Sequence, residues 1–141
     1  MGRPPSRVSG RRAKASVVLH GEEARDRMSG TAARENEMPL AVYTTLSDPD
    51  AAHRIARSAV EARLAACVHI EEIEAVYRWD GEIRDETEYR LLFKTSEAGY
   101  DALAAHILDN HPYEEPALWA LPMTKGSASY FGWIDTESSG A

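Results

Sequence analysis

The sequence predicts an α+β domain, a βαββαβ chain in which helices pack on one face of an antiparallel sheet. Two segments place apolar residues at helical spacing, and four extended runs rich in β-branched and aromatic residues alternate with them. Two neighbouring runs are also each about twice the usual strand length of about 5–6 residues. The sheet is therefore expected to carry one long hairpin between its second and third strands.

The chain divides by charge near Met38. Residues 1–37 hold 8 of the 16 Lys and Arg and 5 of the 23 Asp and Glu, so the remainder holds 8 basic and 18 acidic residues. The first 37 residues contain one short apolar stretch, at 15–19, which is too little to offset the entropy of ordering the segment. We predict a disordered N-terminal extension at 1–37 and one domain at 38–141.

The overall composition excludes several classes of partner. The formal net charge of -7 disfavours binding to a nucleic-acid backbone. No apolar run reaches the length needed to cross a membrane, so we predict no membrane partner. The single cysteine excludes an internal disulfide and fits a reducing compartment.

The first strand and helix are predicted from residues 40–63. Residues 40–46 form a compact apolar and β-branched run that is typical of a strand. Ser47, Asp48 and Pro49 then supply a capping side chain and a proline suited to a first helical turn. Apolar positions at helical spacing follow, and they predict an amphipathic helix that ends near residue 63.

Residues 66–95 predict the long hairpin. An extended run at 66–79 is followed by Asp80 and Gly81, a strong signal for a two-residue turn, and a return strand runs from 83 to 95. Arms of this length should project beyond one small domain. Their tip therefore needs either another subunit or side chains that tolerate solvent.

The remaining elements complete the order β-α-β-β-α-β. Ser96 is expected to open a second helix. The helix should end at Asn110, because the next residue precedes Pro112 and a residue before a proline is pushed out of the helical conformation. Residues 116–123 predict a last strand, at a sheet edge because it contains two prolines. Gly126 and Ser127 precede a short final helix that runs to residue 134. The resulting arrangement is a ferredoxin-like sandwich with a C-terminal helix.

Two groups of residues could bind a metal ion. Cys67 and His69 stand two apart on a predicted strand, so they share a face, and a thiolate with an imidazole suits copper or zinc. His111 and Glu114 lie in the loop after the second helix. The alternatives remain that Cys67 is a small core residue and that His111 packs in the loop or caps the helix.

A second set of residues could bind a small anionic ligand. Lys94 ends a strand, and Tyr113 and Trp79 are aromatic. Trp79, near the hairpin tip, could instead pack against another subunit, and Lys94 could be solvated. The sequence contains no dinucleotide, phosphate-loop, zinc-protease or nucleophile-elbow motif, so we predict no catalytic residues and no enzyme.

At these positions the sequence resembles the CutA family over about residues 39–135. The motifs that carry the resemblance are RLAACV at 63–68, YxWxG at 77–81, FKT at 93–95, HPYExP at 111–116, ALP at 120–122, GSxxY at 126–130 and WI at 133–134. The resemblance implies a ferredoxin-like fold and a cytoplasmic homotrimer in which long hairpins wrap around neighbouring subunits. It also implies divalent-cation tolerance, a response to metal ions, and binding of copper or another divalent metal ion, with no known reaction.

The chain departs from the family at the copper donors. In some bacterial members these are a cysteine at the end of the first strand and two adjacent histidines before the Pro-Tyr pair. Here the positions read Thr44, Asn110 and His111, so one donor of three is retained. The metal hypothesis therefore places Cys67 and His111 first, with His69 and Glu114 behind them.

Two other functions stay open. One is a small-molecule signalling trimer like the PII proteins, which would bind an anionic metabolite between subunits near Lys94, Tyr113 and Trp79. The other is a structural or chaperone-like trimer whose main property is its stability.

Overall fold

The computed structural model describes residues 38–140; the predicted extension 1–37 and Ala141 lie outside the described residues. Seven elements alternate in the order βαββαβα, which confirms the predicted α+β fold. The strands are β1 (Pro39–Leu46), β2 (Cys67–Trp79), β3 (Glu82–Ser96) and β4 (Trp119–Pro122). The helices are α1 (Pro49–Glu61), α2 (Tyr100–Asn110) and α3 (Ala128–Glu137). No helix among these residues is both long and apolar enough to span a bilayer.

The four strands form one antiparallel sheet in the order β2-β3-β1-β4, with the ferredoxin-like connectivity. β4 lies at an edge, as the two prolines of the predicted strand at 116–123 indicated. The core lies between α1, α2 and one face of the sheet, where Val42, Leu91 and Phe93 meet Ile55 and Leu103. We call this the helix face. The opposite side is the open face. The helix α3 contacts β3 and β1, and its Tyr130 meets Lys94 on the open face.

The hairpin of β2 and β3 is longer than the sheet it belongs to. β1 pairs with β3 only from Pro39↔Ser96 to Leu46↔Tyr89, whereas β2 stays paired with β3 as far as Trp79↔Glu82. We call residues 73–88 the arm. Asp80 and Gly81 form its turn with φ values of 54° and 78°, as the type I′ geometry of a two-residue hairpin requires.

Several predicted boundaries differ from the structure for local reasons. α1 ends at Glu61 rather than near 63, because Arg63 takes a left-handed conformation with φ of 60°. Ser96 ends β3 instead of opening α2, and its Oγ accepts a bond from Gly99 N at 3.1 Å. α3 continues to Glu137, three residues beyond the predicted end at 134.

β4 is shorter than the predicted strand at 116–123. Pro116 has no N–H to donate to a ladder. The carbonyl oxygen of Ala117 instead accepts the hydroxyl of Thr44 at 2.6 Å, a side-chain bond that takes the place of a strand bond. β4 therefore pairs with β1 only between Leu40 and Tyr43, and the end of β1 is left without a strand on that side.

Candidate functional site

Cys67 and His69 lie side by side on the open face at the start of β2. Cys67 Sγ is 3.9 Å from His69 Nε2, Cys67 is half-buried and His69 is exposed. Alternation along the strand gives both side chains the same face as Lys94, the ladder partner of Cys67. A soft or borderline metal ion could therefore reach a sulfur and a nitrogen here without disturbing the core.

His111 occupies a different environment. It is 8% exposed, and it fills the place beside the end of β1 that β4 leaves empty. Its Nε2 lies 3.1 Å from the carbonyl oxygen of Thr45, which can only accept, so Nε2 carries the proton. Its Nδ1 then accepts the backbone N–H of Tyr113 at 3.1 Å. Both ring nitrogens are thus engaged, and a metal would have to displace one bond.

Burial determines the charge of His111. Removal from water lowers the pKa of the imidazole from 6.5 to about 4, although the bond to Thr45 opposes part of this shift. The ring is therefore neutral at neutral pH. Neutral imidazole is the form that binds metals, yet here the same form is held by two hydrogen bonds of the fold.

The described chain does not bring the four predicted metal ligands together. Cys67 lies opposite Lys94 of β3, whereas Thr45, the partner of His111, lies opposite Arg90. These β3 positions are four residues apart, about 13 Å along a strand. Glu114 is exposed in the bend at 112–115. Within residues 38–140, no three His, Cys, Asp or Glu side chains are grouped as a metal site.

The two departures from the family donors have structural roles. Thr44 is fully buried on the helix face, and its hydroxyl donates to the carbonyl of Ala117. The side chain of Asn110 donates to His106 O at 2.8 Å at the end of α2. Both side chains stabilise the backbone around the α2–β4 loop in this chain.

The three predicted ligand-binding residues are also far apart within one chain. Lys94 Nζ lies 2.7 Å from the hydroxyl of Tyr130, a contact with α3 that no local pattern indicated. Tyr113 is buried, and its hydroxyl donates to Ser47 Oγ at 2.8 Å. Trp79 is half-buried at the arm tip and pairs with Glu82, twelve residues from Lys94, which is about 40 Å of strand.

An aromatic and charged surface covers the rest of the open face. Tyr43 and Trp119 stack with ring centroids 5.1 Å apart and planes within 7°. Arg90 lies over Tyr43 and donates to Glu71 through two nitrogens at 2.8 and 3.1 Å. Tyr43 and Trp119 lie in the same cross-strand row as His69, and Glu71 and Arg90 lie in the next row, so the candidate donors share a surface with stacked aromatic rings.

A separate groove of about 400 Å³ follows the outer side of α1, where Arg54 and Asn110 are among the lining residues. None of the predicted metal or ligand residues lines it. The candidate site is therefore the open face and not this groove.

These features define a class of small α+β proteins: a ferredoxin-like sheet with an open face and a hairpin arm that extends beyond its own domain. The family model described as CutA1 divalent ion tolerance protein matches residues 40–137. The chain belongs to the CutA family, and the resemblance drawn from its motifs is confirmed.

Relatives in bacteria and plants share this domain. The chain is 37% identical over 98 residues to the divalent-cation tolerance protein CutA of Thermus thermophilus, a match that covers 69% of this chain and 95% of the relative. It is 40% identical over 96 residues to the chloroplastic protein CutA 1 of Oryza sativa, which covers 67% of this chain. That match spans 54% of the rice protein, so the chain covers about half the length of the plant relatives.

Solved structures agree with the fold. The structure of CutA from Synechococcus elongatus superposes with a TM-score of 0.70 at 37% identity, covering 72% of this chain and 91% of that one. The divalent cation tolerance protein of Thermus thermophilus superposes with a TM-score of 0.68 at 35% identity and covers 72% of this chain.

Proposed function

We propose that this protein is a non-catalytic homotrimer that binds copper or another divalent metal ion and takes part in the response to metal ions. The family membership and the names of the relatives support the link to divalent cations. The observation that carries the proposal is the accessible pair of Cys67 and His69, whose donor atoms are 3.9 Å apart. The predicted cytoplasmic location remains a prediction.

The proposal includes an assembly of chains because Cys67 and His69 supply only two donors for a metal ion. Two donors do not complete the coordination of copper or zinc, which take three or four ligands in most protein sites. His111 is held by the fold and Glu114 is not brought to the pair within one chain, so the additional donors come from water or from a neighbouring chain, whose Glu114 is one candidate. The arm supplies a way to bring chains together, because Val76 and Ile83 on it are 69% and 60% exposed.

A copper titration of the trimer tests the site. We expect that Cys67→Ala and His69→Ala each weaken copper binding by at least about tenfold, and that His111→Ala weakens it less. The matched control is His53→Ala, which removes an exposed imidazole from α1. Unchanged affinity in both the Cys67 and His69 variants would remove this site from the proposal.

The second candidate function is the binding of a small anionic molecule. The observation that favours it is the pairing of Lys94 with the Tyr130 hydroxyl on the open face, which places a cation next to aromatic rings. Because Trp79 and Tyr113 lie far from Lys94 in one chain, such a site would form only between chains.

A thermal-shift screen separates the two functions. Nucleotides and organic acids are added with a chelator, so that metal ions make no contribution. A compound that raises the melting temperature of the wild type but not of Lys94→Gln supports the second function. If no compound does so, while copper added without the chelator does raise the melting temperature, the metal-binding proposal is favoured.

A further inference from the structure

Glu88 is a buried carboxyl at the junction between the sheet and the arm. β1 pairs with β3 as far as Leu46↔Tyr89, so Glu88 is the first residue of β3 beyond β1. Its side chain is 3% exposed, and its Oε2 is buried without a hydrogen-bond partner. A buried carboxylate is normally paired, so an unpaired oxygen here requires an explanation.

The surroundings of Glu88 are acidic. Glu86 lies two residues away on the same face of β3, and Tyr77 of β2 and Tyr113 of the α2–β4 loop both lie within the electrostatic influence of the two carboxyls. Of the nearby cations, Arg84 lies beside Tyr77. Arg90, two residues beyond Glu88, is bound to Glu71.

These surroundings favour the protonated carboxylic acid. Burial first, and the negative charge of Glu86 second, raise the pKa of Glu88 above its usual value of 4.5. The pKa of Glu88 is higher in the folded chain than in the unfolded chain. Its contribution to the stability of the fold is therefore fully present below about pH 4.5 and is lost as the pH rises through the pKa of the folded state. Oε2 has almost no accessible surface, so a proton is the species that reaches it without rearrangement.

We propose that Glu88 is a pH-sensitive switch that holds the base of the arm closed when protonated and opens it when ionised. Leu46 pairs with Tyr89, so the turn that begins at Ser47 lies next to Glu88. This turn is tied to the loop by Tyr113, whose Oη accepts the N–H of Ser47 at 2.8 Å. When Glu88 ionises beside Glu86, its carboxylate reaches water as the contact between Tyr113 and Ser47 separates. This separation frees the arm to change its angle to the sheet.

The consequence for assembly rests on the proposed function. If the arm joins neighbouring chains, then ionisation of Glu88 loosens the trimer and protonation tightens it. The local opening itself needs no assembly and is measurable in a single chain.

Backbone hydrogen exchange at Ser47 and Tyr113 tests the switch. The N–H of Ser47 bonds Tyr113 Oη and that of Tyr113 bonds His111 Nδ1, so both amides report opening at the arm base. In the wild type we expect their protection factors to fall as the pH rises from about 5 to about 8.5, by up to about tenfold for each unit of difference between the folded and unfolded pKa. In Glu88→Gln the fall should disappear.

Two further variants complete the experiment. Glu72→Gln removes an exposed carboxylate from the neighbouring strand and should behave as the wild type. Glu86→Gln keeps the buried acid but removes the adjacent charge, so the transition should move to lower pH; it also serves if Glu88→Gln folds poorly. Below about pH 6.5, the tendency of His111 to take up a proton favours opening as the pH falls, which is opposite to the effect of Glu88. Comparison between the variants separates the two contributions.

The outcomes are distinct. Protection factors that stay flat in the wild type, or that fall equally in Glu88→Gln, would overturn the switch. A wild type that shows the local opening but is a monomer at every pH supports the switch and contradicts the proposed assembly.

Discussion

His111 packs between the end of β1 and the loop that follows α2, where it replaces the strand bonds that β4 does not supply. A histidine before a Pro-Tyr pair predicted a metal ligand, and the structure gives the same ring a hydrogen-bonding role. The sequence left both roles open because one residue type serves either. What decides between them is burial, which depends on where β4 stops.

The buried His111 predicts acid sensitivity. Its folded pKa of about 4 lies below the ordinary 6.5, so the unfolded chain takes up the proton first. The free energy of unfolding should therefore fall as the pH drops from about 6.5 to about 4, by about 3 kcal/mol at most. Urea unfolding at several pH values measures this slope, and His111→Gln should remove it.

The control for this prediction is His53→Gln, which changes an exposed imidazole on α1. It should keep the wild-type slope. An unchanged slope in His111→Gln would show that other groups cause the acid sensitivity.

Thr44 offers a second test at the scale of one residue. Its hydroxyl is buried and bonds the carbonyl of Ala117 at 2.6 Å. Thr44→Val keeps the shape but leaves that carbonyl without its donor, so we expect a loss of about 1–3 kcal/mol in the free energy of unfolding. Thr87→Val, which removes an exposed hydroxyl on the arm, should cost less in the same denaturant titration. Equal losses would contradict the role assigned to Thr44.

At the scale of elements, the turn of the arm follows from backbone conformation. Gly81 has a φ of 78° and open space where a Cβ atom would lie, so a side chain there meets no atoms and suffers only the left-handed strain. We expect Gly81→Ala to cost about 1–2 kcal/mol in unfolding free energy. Gly132→Ala is the matched control, since Gly132 also has open space but sits in α3. It should be neutral or stabilising by up to about 1 kcal/mol.

Chemical denaturation of both glycine variants gives the comparison. If Gly81→Ala proved as stable as Gly132→Ala, the left-handed turn would not be the feature that determines the hairpin.

The elements themselves were largely predictable from local signals. Asp48 caps α1 by accepting the N–H of Asp50 at 3.0 Å, Ser127 caps α3, and the Asp80-Gly81 turn forms as expected. These signals depend on neighbours in the chain. The end of α1 was missed because it depends on Arg63, whose guanidinium reaches Glu137 at 3.3 Å and Thr136 O at 3.0 Å across the fold.

At the scale of the whole molecule, the site was less predictable than the fold. Alternation along β2 predicted the adjacency of Cys67 and His69, because strand neighbours two apart share a face. The spacing could not show that Lys94 bonds Tyr130, or that Glu88 is buried, since both depend on distant segments. Contacts between chains are even less predictable from local sequence patterns.

The arm predicts an interface between chains. Val76 and Ile83 are exposed apolar residues on it, and a neighbouring chain would cover them. We expect Val76→Asp and Ile83→Asp each to shift the assembly toward monomers in size-exclusion chromatography with light scattering. Val60→Asp changes an exposed valine of α1 and should leave the assembly intact. Equal behaviour of the three variants would exclude the arm as the interface.

The proposed trimer depends above all on an arm that finds its partners on neighbouring chains. Sedimentation equilibrium of the full chain at micromolar concentration tests this directly. We expect one species with three times the 15.6 kDa mass of the chain. A folded species that sediments as a single chain at these concentrations would contradict the claim.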